Sequence, residues 1–249
     1  MNSWITFIFS FLVFGLVGQL NQTDARGRKQ GEWKKYHPSS NVPAYVGQFK
    51  DDKPIGTFTY YYPSNKVKAV ITHAENGRSE AYMYHENKKL MAHGIYHHQK
   101  KDSVWTHYSP NGRLSFRETY KNDILNGIRT VYYVTGVPDD VTVIMSEQTF
   151  VNGRLNGPTK EYFPDGVKKL EGNYKEGRFE GVVKRYHPGG EIHILERWKD
   201  GDKHGWWVTY DAMGKEMGKR YFWKGETLEG DELKKHLQNL KEKGINPNH

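Results

Sequence analysis

Beyond its first twenty residues, the apolar positions of this chain are largely aromatic and come in short runs cut by turn residues. The runs recur with a period of about 24 residues, each opened by a small residue: Gly31, Gly56, Ser79, Ser103, Gly127, Gly157, Gly181 and Gly205. Five residues after each of these stands a tyrosine: Tyr36, Tyr61, Tyr84, Tyr108, Tyr132, Tyr162, Tyr186 and Tyr210. Two residues in, Trp33, Phe58, Trp105 and Trp207 share a place with Ala81, Arg129, Thr159 and Val183. Prolines recur at Pro38, Pro63, Pro110, Pro164 and Pro188, and glycines at Gly112, Gly136, Gly166, Gly190 and Gly214. A second aromatic column runs through Tyr96, Tyr120, Tyr174, Trp198 and Phe222, with Phe49 one place late and Phe150 displaced by an insertion. His73 stands there in a degenerate second unit.

Each period reads as strand, turn, strand, turn. The first strand carries the Trp and Tyr, and the turn after it has Pro to preset φ and Gly to supply positive φ. The second strand ends on the aromatic column, and the next turn is again Gly- or Asn-rich, as at Asn152-Gly153 and Asp200-Gly201. So short a unit leaves no room for a helix. The expected fold is therefore all-β: an open antiparallel meander of about eight hairpins and sixteen strands, stabilised by equivalent rings packing between neighbours. Three residues separate the Trp from the Tyr of one strand, which puts them on opposite faces unless a bulge intervenes.

Three segments fall outside the pattern. Val137 to Ser146 lengthens one unit, starting near Pro138-Asp139-Asp140. Asp231 to Lys243 reads as a helix with Leu233, Leu237 and Leu240 on one face, Asp231 capping its start and Gly244 its end. Its expected role is to cap the terminal edge of the sheet, with docking of a partner as the alternative. Trp4 to Val17 is apolar except for Thr6, Ser10 and Gly15, too short to span a bilayer comfortably and fitting the h-region of a secretory signal. The domain reading is thus a signal over 1–20, a repeat array over 27–225 and a helical tail over 226–249. Export to the periplasm or medium follows from the first of these, with an uncleaved anchor as the alternative.

The unit Gly157-Pro-Thr-Lys-Glu-Tyr-Phe-Pro-Asp-Gly-Val-Lys-Lys-Leu-Glu-Gly-Asn-Tyr-Lys-Glu-Gly resembles the bacterial variant of the MORN repeat. The resemblance covers Gly31 to about Gly225. It implies a platform for protein association, or a lipid binder, and does not by itself fix function. Bacterial chains of this kind often carry an antitoxin label, which fits an exported chain poorly. The second and third units depart from the repeat.

Composition narrows the chemistry. Tyr 17, Phe 11 and Trp 7 with Gly 26 suit a thin sheet whose rings are covered by Lys and Arg stems. The 37 basic and 29 acidic residues are interspersed, so the net charge of +8 reads mainly as solubility. Cysteine is absent, which excludes disulfides, thiolate catalysis and Cys-based metal sites.

His93, His97 and His98 lie close together, with His73, His85 and His107 nearby, but residues four apart on a strand are about 13 Å apart. They read as surface histidines, and no metal or cofactor is expected. Glu118 and Glu196 share a column with Gly94 and Gly172, with Gly47 one place late. An open ribbon offers no cleft to separate carboxylate pKa values, so these read as solvated sheet surface. Phosphate loops, nucleophile elbows and Walker motifs are missing from the sequence. The expectation is a non-catalytic scaffold of the bacterial envelope that presents Trp33, Trp105, Trp198 and Trp207 to a protein partner. A glycan or lipid surface is the alternative partner, an enzyme is disfavoured, and export argues against nucleic acid.

Overall fold

The computed structural model describes residues 19–248. The apolar run Trp4 to Val17 and its reading as a signal lie outside the described residues. Among the described residues nineteen strands form a single antiparallel meander, each hydrogen-bonded to the next in sequence except that Asp202–Lys203 and Gly205–Tyr210 both pair with Ile192–Lys199, and one helix, Gly230–Glu242, follows the last strand. Sixteen strands are the eight predicted hairpins. The additional ones are Gln22–Thr23, which pairs with Lys29 and Gln30, Asp202–Lys203, which splits off ahead of Gly205–Tyr210, and Glu226–Leu228.

All eight members of the tyrosine column end the first strand of their unit. The chain then reverses as its turn residues dictate. Gly166 sits at φ 87°, and the Asp165 carboxylate accepts the Val167 N–H at 3.0 Å. At the turn between two units, Asn152-Gly153, both residues take positive φ, as a two-residue hairpin of matching twist requires.

Two irregularities shape the faces, one in every unit and one in all but the third. The register slips just before each column tyrosine, from Lys35/Tyr36 to Thr209/Tyr210. A second, larger bulge falls where one unit meets the next. Gln48 faces Ile55 and Val46 faces Thr59, so Gly56, Thr57 and Phe58 together oppose Gly47. The same three-against-one offset sets Ser103–Trp105 against Gly94 and Gly181–Val183 against Gly172. The small residue that opens each unit is the hinge of this bulge: Gly56 lies at φ 63° and Ser103 at φ 60°. The third unit is the exception. Val67–His73 pairs with Arg78–Tyr84 without any slip, and Ser79 keeps ordinary strand backbone.

Trp and Tyr of one strand point to opposite faces. Trp105 meets Tyr96 and His107 on one side, whereas Tyr108 reaches His93 on the other. The tail helix runs one residue ahead of its expected span. Glu229 is its N-cap and Asp231 lies in the first turn, bonded to Lys234 at 3.0 Å, while Gly244 ends it at φ 64°. It packs against a face and not along the edge. His236 lies 4.5 Å from the Trp223 ring and 5.5 Å from Tyr221, and Leu240 is buried. The outer edge over Met213–Arg220 stays exposed, because the helix, having left the sheet at Gly230, folds back over the last strands.

Candidate interaction surface

The face that carries the Trp column is built by a size rule between successive units. Where the facing column holds glycine, the next unit lays a large side chain on the bare backbone. A Cβ on Gly47 would lie 2.4 Å from the Phe58 ring, one on Gly94 2.3 Å from Trp105, and one on Gly172 2.8 Å from Val183. Where the facing column holds a longer side chain, its neighbour in the next unit changes: Ala81 beside Ile71, Arg129 beside Glu118, Thr159 beside Gln148. Trp105, Phe58 and Val183 are buried as a result.

The bulge leaves a backbone carbonyl without its ladder partner, and the indoles supply one. Trp105 Nε1 donates to Ile95 O at 3.0 Å, and Trp207 Nε1 to Arg197 O at 2.9 Å. Each tryptophan of this column is also roofed by a lysine four residues earlier. Lys29 lies 4.9 Å from Trp33 and 4.7 Å from Phe49, Lys101 4.7 Å from Trp105 and 4.8 Å from Tyr120, and Lys203 4.7 Å from Trp207 and 4.9 Å from Phe222. The spacing Lys-x-Gly/Ser-x-Trp was visible in the sequence as a fixed interval, though only the bulge explains why the ammonium lands on the ring.

Of the four tryptophans expected to face a partner, Trp33, Trp198 and Trp207 are half-buried and Trp105 is fully buried. Trp105 is therefore core, because Tyr96 from the preceding strand and Lys101 from its own strand close over it. At the C-terminal end four half-buried rings join into a row that ends on the buried Phe222: Tyr174–Phe179 at 4.3 Å, Phe179–Trp198 at 5.5 Å, Trp198–Trp207 at 5.1 Å and Trp207–Phe222 at 5.1 Å. Beside it lies an open hollow of about 530 Å³ lined by Ile194, Lys203, Trp207, Gly218, Arg220 and Phe222. A second, of about 430 Å³, sits between Arg113 and the inserted loop. Arg113 pins that loop by donating to the carbonyls of Val137, Pro138 and Val141 at 3.0–3.1 Å and to Asp139 at 3.1 Å.

The two column glutamates are not solvated. Glu196 is 3% exposed, with Arg185 Nε at 2.6 Å and the Trp198 indole at 3.0 Å. Glu118 accepts the Tyr120 hydroxyl at 2.7 Å and is ion-paired to Arg129 at 3.2 Å. Burial, followed by that carboxylate, pushes the Tyr120 phenol up to about 12. On the opposite face Glu171 gathers Lys168, Lys184 and Tyr186 at 2.6, 3.2 and 2.5 Å. The Lys168 bond, then that of Tyr186, with Lys184 adding to both, hold its carboxyl at about 2.

Several histidines are structural. His37, His85 and His187 each bond through Nε2 to the carbonyl of the next unit's column tyrosine, Tyr61, Tyr108 and Tyr210, at 3.0 Å. Tyr62 and Tyr133 do the same with their hydroxyls, to Tyr84 O and Tyr162 O at 2.8 Å. Sequence reasoning missed this latch, whose only signal is a His or Tyr following the column tyrosine. His107 stacks on Phe116 at 4.2 Å, and burial, with Lys101 adding to it, pulls its pKa down. No group of three or more potential metal ligands occurs among the described residues.

These geometries repeat where a family model for the MORN repeat variant matches, at residues 101–122 and 155–176. Two stretches of the chain match the MORN repeat variant. Such repeats commonly serve as scaffolds that bind proteins or membranes, and as a family they are generally non-catalytic. The two matched stretches are the Trp105 and Thr159 units, one of each side of the size rule. No curated protein matches the chain. Among solved structures, a chain in the crystal structure of TcdB2-TccC3-TEV is similar at 12% identity and a TM-score of 0.23, over 83% of this chain. This chain spans only 14% of that one.

Proposed function

We propose that the protein is a non-catalytic repeat scaffold of the bacterial envelope that holds a protein partner on its aromatic face. The observation that carries this reading is the row Tyr174–Phe179–Trp198–Trp207, half-buried rings continuous across three units, backed by the buried Phe222 and with the Lys203 stem beside them. Large aromatic rings on a firm backbone give contact area at little entropic cost, which is why such residues dominate association sites. The face is open, with room for an extended surface and no deep apolar pocket for a small substrate.

The test is capture of a specific protein from envelope extracts by the full chain, repeated with Trp198→Ser. Loss of capture with an unchanged melting transition supports the reading. Equal capture by both would end it, and binding to glycan arrays or liposomes at low salt without protein capture would favour the surface-binding alternative.

A further inference from the structure

We propose that the unfinished end of the sheet is a docking edge for an extended acidic segment of a partner protein, added as the next strand. This inference rests on the scaffold reading above and names a second, separate site for it.

The array starts a ninth unit and abandons it. Thr227 faces Phe222 as Leu125 faces Tyr120, so Glu229 stands where the bulge residue of the other units stands. There the chain turns into the helix instead of continuing across the edge. The strand Glu216–Trp223 consequently has an outward neighbour only at Tyr221–Trp223. Glu216–Arg220 is fully exposed, its inner side paired to Trp207–Tyr210 and its outer side bare. A Cβ built on Gly218 meets nothing within 4 Å, and Met217 is 66% exposed. The bare stretch borders the hollow of about 530 Å³.

The charges at this edge are opposite in sign to those at two inner junctions. At two inner junctions a carboxylate on the second strand is met by a base from the following unit: Glu118 by Arg129 at 3.2 Å, and Glu171 by Lys184 at 3.2 Å. The same two columns in the last unit hold Arg220 and Lys219. Neither has an ion-pair partner among the described residues, and Lys203 adds a third charge beside them. By the register of the inner junctions, an added strand would place successive residues opposite Arg220, Lys219 and Gly218. Acids at the first two and an apolar residue at the third would satisfy all three positions. The chain's own continuation spells Asp231-Glu232-Leu233 at those positions, but the helix has taken them.

A second copy is a poor occupant. The opposite end of the sheet offers Trp33-Lys34-Lys35, which by the same register would set Trp33 against Arg220, Lys34 against Lys219 and Lys35 against Gly218, leaving both edge cations unpaired and adding two more. Main-chain pairing would give the affinity and the acid pair the selectivity.

The experiment uses the full chain and a fluorescent peptide, Thr-Val-Asp-Glu-Val-Thr, followed by anisotropy, with Thr-Val-Lys-Lys-Val-Thr as control. The acidic peptide binds and the basic one does not. Arg220→Glu weakens the acidic peptide about 10-fold, and a peptide with lysine opposite position 220 restores the loss. Two peptides N-methylated on alternate residues separate edge pairing from simple charge attraction: one retains binding, and the one blocked on its paired edge loses it. Amides of Met217–Arg220 gain exchange protection in the bound state. Equal binding of acidic and basic peptides, indifference to Arg220→Glu, or equal tolerance of both N-methylated peptides overturns the proposal. So does concentration-dependent end-to-end self-association abolished by Arg220→Glu. The two readings fail separately, since capture that survives Trp198→Ser ends the first and leaves this one standing on the peptide data.

Discussion

Two adjacent junctions of the array solve one geometric problem with opposite chemistry. Where the third unit meets the fourth, the bulge drops Trp105 onto the backbone of Gly94, and its indole takes up the stranded Ile95 carbonyl. At the next junction the same columns hold Glu118 and Arg129, an ion pair whose carboxylate is 12% and guanidinium 36% exposed. Both junctions set three residues against one, but Ser103–Trp105 oppose Gly94 whereas Asn126–Ile128 oppose Thr119, so Arg129 stands in register with Glu118 and the bulge shifts by one place with its filling. The apolar side chain packs over a glycine at Gly47, Gly94 and Gly172, while at the last junction Trp207 shares the place with Glu196, whose carboxylate turns aside to Arg185 and Trp198. A carboxylate in that place fills the room itself and needs a cation, because burying it unpaired is costly.

The largest effect should come from the apolar junction. Trp105→Ala removes a fully buried ring and strands a carbonyl, and is expected to cost ~3–5 kcal/mol in urea unfolding. Gly94→Ala forces the ring aside and should cost ~1–3 kcal/mol. If either falls within a few tenths of wild type, the ring does not hold this junction. Because each unit contacts only its neighbours, exchange protection should fall around both flanking hairpins and persist at the far ends.

The charged junction should be weaker. Glu118→Gln leaves Arg129 without its carboxylate and is expected to cost ~1–2 kcal/mol, discounted for the exposed guanidinium. The comparison is sharpened by grafting one solution onto the other. Glu118→Gly with Arg129→Trp should recover most of that loss, since the new ring finds both a bare backbone and Leu125 where the other junctions have lysine. Glu118→Gly alone should not recover it. Equal stability of the single and double variants would mean that the size rule is not what matches neighbouring units.

Acid should loosen the two faces at different pH, the Trp105 face first through His107 and the opposite face later through Glu171. Glu171 is held at about 2 by Lys168, Tyr186 and Lys184, below its unfolded value of about 4.3. Its contribution is therefore complete above that unfolded value and fades as pH falls from there towards 2. His107 adds in the same direction at higher pH, since burial depresses its pKa and protonation favours the unfolded chain as pH drops through about 6.5. Glu171→Gln should flatten the lower part of the stability profile and leave the histidine part in place. An unchanged profile in that variant would remove Glu171 from the account.

The fold was legible because a period of strand and turn residues is a local signal. The tyrosine column marks the end of each first strand, and Pro-x-Gly marks each reversal. Trp105 was misplaced on the surface, and Glu118 and Glu196 were misread as solvated, for one shared reason. Alternation along a strand says which face a residue takes, but the three-against-one bulge decides what lies over it, and that depends on the neighbouring unit. Complementarity was present in the letters as Gly94 with Trp105 and Glu118 with Arg129, residues whose pairing appears only once the offset register is known. The tail was half legible: Leu240 and Gly244 behave as their pattern requires, whereas the docking of His236 on Trp223 has no sequence period behind it.

The latch between units gives the smallest effect and the cleanest control. Tyr62 and Tyr133 donate to the next unit's column carbonyl, and His37, His85 and His187 reach it through Nε2. Phe163 occupies the same place in the sixth unit with no group to donate. Tyr133→Phe should cost ~1 kcal/mol, the net worth of one hydrogen bond that leaves its carbonyl partly unsatisfied. The reverse change tests the same idea with opposite sign. Phe163→Tyr adds a hydroxyl within the geometry that Tyr133 uses to reach Tyr162, so it should bond the Tyr186 carbonyl and stabilise by ~0.5–1 kcal/mol. A latch that matters must respond in both directions. If removal costs stability and addition gains none, the bond at Tyr133 reflects the inserted loop beside it and not a rule of the repeat.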